Sequence, residues 1–254
     1  MESEYILQTV DLVKAFGKQM AVNRVSLNIP TGSFVSIIGP NGAGKTTFFN
    51  LITGAFKPDS GSIFFKGRDI TKVKEYKRVL MGIARCFQIT NVFPSISVLE
   101  NVRLAVQAKS HHKYKFYIQF GKFRELTEYA LYCLEMVRMR HLKDTIAQSL
   151  THPDQRKLEI AIQLASQADL MLLDEPTAGI SAEEVPMIVE VINGIRKKEQ
   201  KTIIMVEHKL DMVLNMSDYI AVLNYGSLIA EGSPREIRSN QDVQNAYLGR
   251  KVSL

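Results

Sequence analysis

A glycine-rich segment in the first fifth of the chain constrains the fold more than any other feature. Residues Gly39–Thr47 read GPNGAGKTT and match the pattern G-x-x-x-x-G-K-[ST] in full. An apolar stretch that ends in glycine, Ser33–Gly39, comes directly before the loop, and a helical pattern, Lys45–Thr53, continues from it. A strand, a glycine-rich loop and a helix in this order form the setting in which backbone N–H groups bind phosphate.

Phosphate binding needs each part of this segment. Glycines allow a tight turn whose N–H groups point inward at phosphate oxygens, and the first turn of the helix adds the positive end of its dipole. Lys45 can reach the β- and γ-phosphates, and the Thr46 hydroxyl can bind Mg²⁺. The alternative is a glycine-rich turn without a ligand. The predicted phosphate-binding residues are Asn41, Gly42, Ala43, Gly44, Lys45, Thr46 and Thr47.

Apolar runs alternate with helical patterns along much of the remaining chain. Continuous apolar runs without strict alternation are typical of parallel strands buried on both faces. We therefore expect an α/β fold whose parallel sheet is covered by helices on both faces. The predicted strands are Ser33–Gly39, Ile83–Phe87, Asp169–Leu173, Thr202–Val206 and Tyr219–Leu223, and one predicted helix between them is Ala182–Lys198.

Two parts of the chain follow a different pattern. Helical patterns dominate from about Ser97 to Ala165, which indicates a helical insertion in the α/β core. Shorter strand-like pieces, Ala21–Ile29 and Gly61–Phe65, predict an antiparallel sheet in the N-terminal third. The basic and aromatic stretch Lys109–Lys122 is expected to be a solvated loop and helix start, with a lipid-facing or RNA-facing patch as the alternative. The predicted helices of the insertion are Val98–Ala108, Phe123–Arg140 and Asp154–Ser166.

Two carboxylates follow one of the buried strands. Asp174 and Glu175 come directly after Leu170–Leu173, and ligands bind at the C-terminal ends of strands in open α/β sheets. We expect Asp174 to hold Mg²⁺, directly or through water, and Glu175 to polarise the attacking water. Adjacent carboxylates alone are a weak signal because many strands end in acidic turns. The phosphate-binding loop in the same chain is what favours the catalytic interpretation.

Two further polar side chains follow predicted strands. His208 comes after Thr202–Val206 and could donate a hydrogen bond to a γ-phosphate. Gln88 comes after Ile83–Phe87, where its amide could sense water or Mg²⁺. Taken alone, His208 is better explained as a surface or capping histidine, and Gln88 is an equally weak signal.

Composition excludes several classes of protein. The chain has 254 residues, of which 46% are hydrophobic, as in an ordinary folded protein. No apolar run approaches the ~18–20 residues of a membrane-spanning helix, and the acidic N-terminus, Met1–Glu4, does not resemble a secretory signal. Two cysteines, Cys86 and Cys133, are too few for a disulfide framework or a zinc site, so we expect buried thiols in a reducing cytosol.

The charge balance is basic but does not predict nucleic-acid binding. The formal net charge is +6, which suits nucleic acid, an anionic membrane or phosphate ligands. The sequence contains no long Lys/Arg run and no zinc-finger or RNP-like motif. We therefore expect no direct contact with nucleic acid.

The order of these motifs resembles the ATP-binding subunit of an ABC transporter. A phosphate-binding loop, a glutamine after a strand, a helical stretch, an Asp-Glu pair and a histidine follow one another over nearly the whole chain. Within this family the chain is similar to the importers of branched-chain amino acids and related small solutes. The strings that carry the similarity are Arg85–Gln88 (RCFQ), Val98–Val102 (VLENV), Leu158–Ala161 (LEIA), Val206–His208 (VEH), Glu231–Pro234 (EGSP) and Ala246–Gly249 (AYLG).

The resemblance implies roles for individual residues. Phe16 would stack on adenine with Val22 packed beside it, although Phe16 as an ordinary core residue is the alternative. Gln88 would bind Mg²⁺ and couple the nucleotide site to a permease. Glu175 would be the catalytic base, and His208 would contact the γ-phosphate.

The resemblance also implies an architecture and partners. Residues 1–254 would form a single ABC ATPase domain with an inserted helical subdomain at about residues 90–165, which would carry the groove for a permease helix. The cofactors would be ATP and Mg²⁺. The implied partners are two integral-membrane permease subunits, a second ATPase subunit and, indirectly, an extracytoplasmic solute-binding protein. The subunit would lie peripherally on the cytoplasmic face of the cell membrane.

In one segment the chain departs from the family pattern. These subunits carry a Leu-Ser-Gly-Gly-Gln type signature, which faces the ATP held by the other chain of a head-to-tail pair. The corresponding residues here are Thr151, His152, Pro153 and Asp154. Thr151 keeps a hydroxyl, but both glycines are missing, and Pro153 has no backbone N–H for a γ-phosphate. Proline is tolerated in the first turn of a helix, and Thr151 could cap that helix together with Asp154, so the fold can survive.

This departure leads to a hypothesis about assembly. In a homodimer both ATP sites would be impaired, whereas in a heterodimer only the site that uses this signature would suffer. We therefore expect an asymmetric pair with a second, different ATPase subunit. The alternative is that Pro153 is tolerated in a working pair. The loop Ala178–Ser181, where Ser181 stands in place of the usual aspartate, would cross to the partner.

Two other functions compete with the transport ATPase. A non-transport ATPase that acts on ribosomes or DNA is disfavoured, because the chain has one cassette and no sustained heptads between Lys45 and Asp174. An ATP-binding regulatory subunit with little turnover is suggested by Pro153, but the intact Glu175 and His208 argue against it. The resemblance favours branched-chain amino acids as the solute, and amides or urea fit nearly as well.

Overall fold

A computed structural model describes residues 4–86, 92–109 and 120–248 of the chain. The strands are β1 (Tyr5–Phe16), β2 (Gln19–Pro30), β3 (Phe34–Ile38), β4 (Ser60–Phe65), β5 (Arg68–Asp69), β6 (Ile83–Cys86), β7 (Leu170–Asp174), β8 (Thr202–Val206), β9 (Tyr219–Asn224) and β10 (Ser227–Gly232). The α-helices are α1 (Lys45–Thr53), α2 (Glu75–Met81), α3 (Val98–Lys109), α4 (Phe120–Met136), α5 (His152–Ala165), α6 (Val185–Glu199), α7 (Leu210–Met216), α8 (Pro234–Ser239) and α9 (Gln241–Leu248).

A six-stranded sheet forms the centre of the fold and confirms the predicted α/β class. Its strand order is β10-β9-β3-β8-β7-β6. The five strands from β9 to β6 run parallel, and β10 pairs antiparallel with β9. The five predicted parallel strands all belong to this sheet within a residue or two of their expected bounds, except that Phe87 lies outside the described residues.

Strand β7 shows why the apolar runs of this sheet are continuous. Leu170 and Leu172 belong to the apolar core on one face of the sheet, whereas Met171 and Leu173 belong to the core on the other face. Because successive side chains of a strand point to opposite faces, a strand covered on both faces needs an apolar residue at every position. The core on the Leu172 face includes α1, and the core on the Met171 face includes α5 and α6.

The N-terminal antiparallel sheet is confirmed, with two strands that the sequence pattern did not reveal, β1 and the two-residue β5. Its strand order is β2-β1-β4-β5. Strand β1 was missed because its alternation is interrupted. The register against β2 shifts between Thr9 and Leu12, and Asp11 has a positive φ of 45°. An extra residue at such a bulge moves the following side chains to the opposite face.

The helical stretch between β6 and β7 is present, with α3, α4 and α5 packed against one another. Helix α4 begins and ends earlier than predicted. It ends before Arg138, because that residue adopts a left-handed conformation (φ 58°) that cannot continue the helix. Helix α6 begins three residues later than predicted, with Pro186 in its first turn. The division into one ATPase domain and an inserted subdomain stays a prediction, and most of Lys109–Lys122 lies outside the described residues.

A buried arginine fixes the far end of α1 against α2. The Arg78 guanidinium donates to the carbonyls of Leu51 and Ile52 at 2.7 Å each, and to that of Ile70 at 2.7 Å. Burial lowers the pKa of Arg78 to about 10, so the guanidinium stays charged at neutral pH. The C-terminal end of the helix that follows the glycine-rich loop is thereby held in place.

The remaining expectations concern thiols and membranes. Cys133 is buried as expected, and burial raises the pKa of its thiol to about 12. The Cys86 side chain lies outside the described part of the structure. Among residues 4–86, 92–109 and 120–248, no helix has the length and apolar character needed to cross a bilayer.

Candidate functional site

The glycine-rich loop connects the end of β3 to the start of α1, and its glycines are sterically required. Gly39 has a φ of 155°, and a Cβ there would lie 2.1 Å from the Leu223 carbonyl oxygen. Gly44 has a φ of 99°, and a Cβ there would lie 2.1 Å from the Ala21 carbonyl oxygen. No side chain fits at either position, so the loop can hold this path only with glycine.

Lys45 lies at the first position of α1 and its ammonium group turns back over the loop. Its Nζ donates to the carbonyls of Gly39 at 2.7 Å and Pro40 at 3.0 Å. Burial lowers the pKa of Lys45, and the negative charges of Glu175 and Asp174 oppose that shift. The two acidic residues predicted from the sequence are therefore close enough to act on this lysine.

Both carboxylates are positioned by β7. Asp174, the last residue of the strand, pairs in register with Val206 of β8 and is 2% exposed. Glu175 follows in a left-handed conformation (φ 48°), and its N–H donates to the Val206 carbonyl at 2.9 Å. The turn at Glu175 directs the chain away from the sheet immediately after the buried aspartate.

His208 contacts Glu175 at the C-terminal edge of the sheet. The Nε2 atom of His208 lies 2.6 Å from Oε1 of Glu175. One residue on a loop after β7 and one on a loop after β8 thus form a hydrogen-bonded pair. Such a pair can place a proton acceptor, Glu175, next to a group that can bind phosphate, His208.

A buried glutamate joins the two loops behind this pair. Glu207 is 3% exposed, and its Oε1 accepts hydrogen bonds from the hydroxyl and the N–H of Thr177. Its Oε2 accepts from the N–H of His208 at 2.9 Å and, at 3.4 Å, from that of Lys209. The carboxylate therefore fixes the loop that carries Glu175 to the loop that carries His208.

The glycine-rich loop, Glu175 and His208 line an open cleft of about 360 Å³. Phe16, which is 46% exposed, stands at its edge and contacts Phe56 edge to face at a centroid distance of 5.4 Å. Val22 is fully buried in the apolar core and is not among the lining residues. The residues that line the cleft are Phe16, Gln19, Ala21, Asn41, Gly42, Ala43, Gly44, Lys45, Thr46, Thr47, Glu175 and His208.

Asp174 has a partner that the motif analysis did not foresee. Nη2 of Arg85, on β6, lies 2.6 Å from Oδ2 of Asp174, and Nη1 donates to the side chain of Asn50 on α1. In the sequence, the signal for this contact was the charged Arg85 within the otherwise apolar strand β6. Gln88, two residues beyond β6, lies outside the described residues, so its predicted roles stay predictions.

The segment at the position of the signature forms the first turn of α5. Thr151 is the N-cap, and its hydroxyl oxygen accepts from the Asp154 N–H at 3.4 Å, as predicted. The Asp154 carboxylate accepts from the Thr151 hydroxyl at 2.9 Å and pairs with Lys157 at 2.6 Å. Pro153 is buried in the first turn, and the exposed His152 packs against Gly179 of the loop Ala178–Ser181.

Two candidate functional residues, Arg85 and Glu207, were not predicted from the sequence. Arg85 stands in one of the strings that carried the family resemblance, but its partner is distant in the chain. Glu207 stands beside His208, but nothing in the pattern shows that its carboxylate is buried. Both are defined by contacts with residues distant in the chain, Asp174 for Arg85 and Thr177 for Glu207, which the order of motifs does not contain.

We predict that Glu207→Ala lowers the free energy of unfolding by about 2 kcal/mol or more, because it leaves the buried N–H and hydroxyl of Thr177 and the partly buried N–H of His208 without their acceptor. Equilibrium urea unfolding would measure the change. The matched control is Glu190→Ala, which removes only an exposed pair with Arg138 and should cost about 0.5 kcal/mol or less. Equal effects for the two variants would show that Glu207 does not join the loops.

Comparisons with known proteins agree with this geometry. The family model described as "ABC transporter" matches residues 22–178, and the model described as "Branched-chain amino acid ATP-binding cassette transporter" matches residues 227–252. The branched-chain amino acid transport ATP-binding protein LivG of Salmonella typhimurium is 36% identical over 256 residues, covering 97% of this chain and 99% of that protein. The corresponding protein BraF of Pseudomonas aeruginosa is 36% identical with the same coverage.

A solved structure gives the same result for the fold. The ADP conformation of an ATP-binding cassette of an ABC transporter superposes with a TM-score of 0.84 at 31% identity, covering 97% of this chain and all of that one. The family model spans more than half of the chain, and the curated relatives span nearly all of it. The chain belongs to the ATP-binding subunits of the ABC transporter family.

Proposed function

We propose that this chain binds and hydrolyses ATP to energise a membrane importer for branched-chain amino acids or related small polar solutes. The observation that carries the proposal is the Glu175–His208 pair, 2.6 Å apart, in the cleft that Lys45 and Thr46 also line. A general base, a phosphate ligand and a phosphate-binding loop meet there. The similarity to LivG and BraF supports the solute class.

ATP would lie along the cleft from Phe16 to the Glu175–His208 pair. The exposed ring of Phe16 would stack on adenine, and N–H groups of Asn41–Thr47 would hold the phosphates. Lys45 would exchange its contacts with the Gly39 and Pro40 carbonyls for phosphate oxygens. Val22, which is buried in the core, would support the wall of the cleft behind the adenine ring.

The residues present fit a divalent magnesium ion. The Thr46 hydroxyl and the Asp174 carboxylate are hard oxygen donors of the kind that Mg²⁺ prefers, and Gln88 would add an amide oxygen. The ion, when bound, neutralises charge that develops on the phosphates. Glu175 would accept a proton from the attacking water, while His208 orients Glu175 and donates to the γ-phosphate.

The structure also contains a groove suited to a permease helix. Its volume is about 310 Å³, and it lies between α2, β6, α3 and α5. Val79 of α2 lines it at 47% exposure, and Leu80 and Tyr76 on the same helix are also exposed. Large exposed apolar side chains beside a groove indicate an interaction surface. We assign it to the permease. The subunit would then lie peripherally on the cytoplasmic face of the membrane, with a solute-binding protein acting indirectly.

The signature segment supports an asymmetric pair of ATPase subunits. The Thr151 hydroxyl and the Asp154 N–H are engaged with each other, and Pro153 offers no N–H. The Asp154 carboxylate adds negative charge where a partner's phosphate would approach. An ATP site completed by this segment would be weak, whereas the site on this chain's own loop would work against an intact partner signature.

Replacing the proposed catalytic base, Glu175, tests the mechanism of ATP hydrolysis. In the assembled transporter, Glu175→Gln should lower the turnover number for ATP by about 10²- to 10⁴-fold, the usual contribution of a general base, with little change in ATP affinity. Steady-state ATPase assays and nucleotide-binding titrations would separate the two quantities. Glu183→Gln, an exposed glutamate on the loop after Glu175, is the control. Unchanged turnover in Glu175→Gln would favour a regulatory subunit instead.

Capture from native membranes tests the partners. The tagged chain should co-purify with two permease subunits and a second, different ATPase, identified by mass spectrometry. Val79→Asp should abolish recovery of the permease subunits because it places a charge in the apolar wall of the groove. Recovery of ribosomal proteins or nucleic acid without a permease would overturn the transport assignment.

The signature hypothesis makes a separate prediction for the isolated chain. Purified alone, the chain should hydrolyse ATP slowly and without cooperativity. The triple variant His152→Gly, Pro153→Gly, Asp154→Gln should raise this rate at least tenfold, because it returns an N–H group and removes a negative charge. Brisk, cooperative hydrolysis by the unaltered chain alone would contradict the asymmetric pair.

A further inference from the structure

Arg85 occupies an unusual place for a charged side chain. It lies on β6, the edge strand of the parallel sheet, where it pairs in register with Leu172. Leu172 and Asp174 share one face of β7, because side chains two residues apart point the same way. Arg85 reaches Asp174 on that face, and its guanidinium lies 5.7 Å from the ring centroid of Phe49 on α1.

The Arg85–Asp174 pair is removed from water. The side chains are 8% and 2% exposed, and the nitrogen–oxygen distance is 2.6 Å. Displacing one partner of a buried pair leaves the other charge uncompensated, which is strongly unfavourable. If the Arg85 guanidinium moves, the Asp174 carboxylate must therefore move with it or pair with another cation.

The residue that holds Asp174 also forms part of the groove wall. Arg85 lines the 310 Å³ groove together with Ile83 and Ala84 of β6 and with residues of α2, α3 and α5. The opposite wall is tied to the sheet, because the side chain of Gln163 on α5 donates to the carbonyls of Ala84 and Leu172. A segment that enters the groove thus meets a residue whose side chain is bound to Asp174.

We propose that Arg85 is a positioning residue that holds Asp174 in place for the divalent ion and connects the groove to the metal site. The assignment rests on the proposed function, in which Asp174 binds the metal and the groove binds the permease. Hydrogen bonds to a metal-binding carboxylate orient it, and their removal commonly weakens metal affinity by about 10- to 100-fold. Asn50 supports the arrangement from α1 by accepting from the second guanidinium nitrogen.

Metal binding to the purified chain tests the positioning role. With ADP present, Mn²⁺ titrations followed by electron paramagnetic resonance should show at least tenfold weaker binding for Arg85→Gln. Arg85→Lys should restore part of the affinity, because lysine keeps the charge but cannot hold Asp174 and Asn50 together. Arg103→Gln removes a pair of the same 2.6 Å length on α3, away from Asp174, and should leave Mn²⁺ affinity unchanged.

The outcomes separate a positioning role from a purely structural one. If Arg85→Gln binds Mn²⁺ as tightly as the unaltered chain, the proposal is wrong. If Arg85→Gln does not fold, Arg85→Lys and Asn50→Ala provide the measurement, and unchanged Mn²⁺ affinity in both overturns the proposal. If the unaltered chain with ADP does not bind Mn²⁺, the assignment of Asp174 to the metal fails first.

The connection to the groove is tested in the assembled transporter. Arg85→Lys should reduce the stimulation of ATP hydrolysis by solute at least fivefold, with a smaller effect on the unstimulated rate. Arg103→Gln should keep the stimulation. Equal stimulation in Arg85→Lys and the unaltered transporter would confine Arg85 to the metal site and refute the connection.

Discussion

The parallel register of β3, β8 and β7 is the constraint on which the site depends. Ile37 pairs with Val206, and Val206 pairs with Asp174, so three strands end along one line across the sheet. The chain segments that leave these ends are the glycine-rich loop and the loops that carry Glu175 and His208. Their meeting in one cleft is a consequence of strand register, because the C-terminal ends of parallel strands lie at one edge.

Buried charge is concentrated around this edge. Lys45, Arg85, Asp174 and Glu207 are all largely removed from water, and each is held by hydrogen bonds or an ion pair. Burying such groups is costly unless they are paired. The stability that the apolar core supplies is thus partly used to keep polar groups at fixed positions, which is what electrostatic catalysis of phosphoryl transfer requires.

The same edge lies between two surfaces to which we assign different tasks. In the proposed function, the cleft would face nucleotide and the groove between α2, β6, α3 and α5 would face the permease. Asp174 and Arg85 lie between them. At the start of α5 the polar side chains of Thr151, Asp154 and Lys157 bind one another. An asymmetric pair would use this chain for its own ATP site and its partner for the complementary signature.

The sequence by itself determined the class of fold, the glycine-rich loop and most of the residues that line the cleft. Local patterns carry this information, because strand period, glycine spacing and strand-end carboxylates are properties of short segments. Strand β1 escaped because a bulge at Asp11 breaks its alternation. Only the tertiary structure decided that Arg85 pairs with Asp174, that Glu207 joins two loops and that Val22 lies behind the cleft wall. These facts depend on which strands become neighbours and in which register, and that is settled by packing of the whole chain.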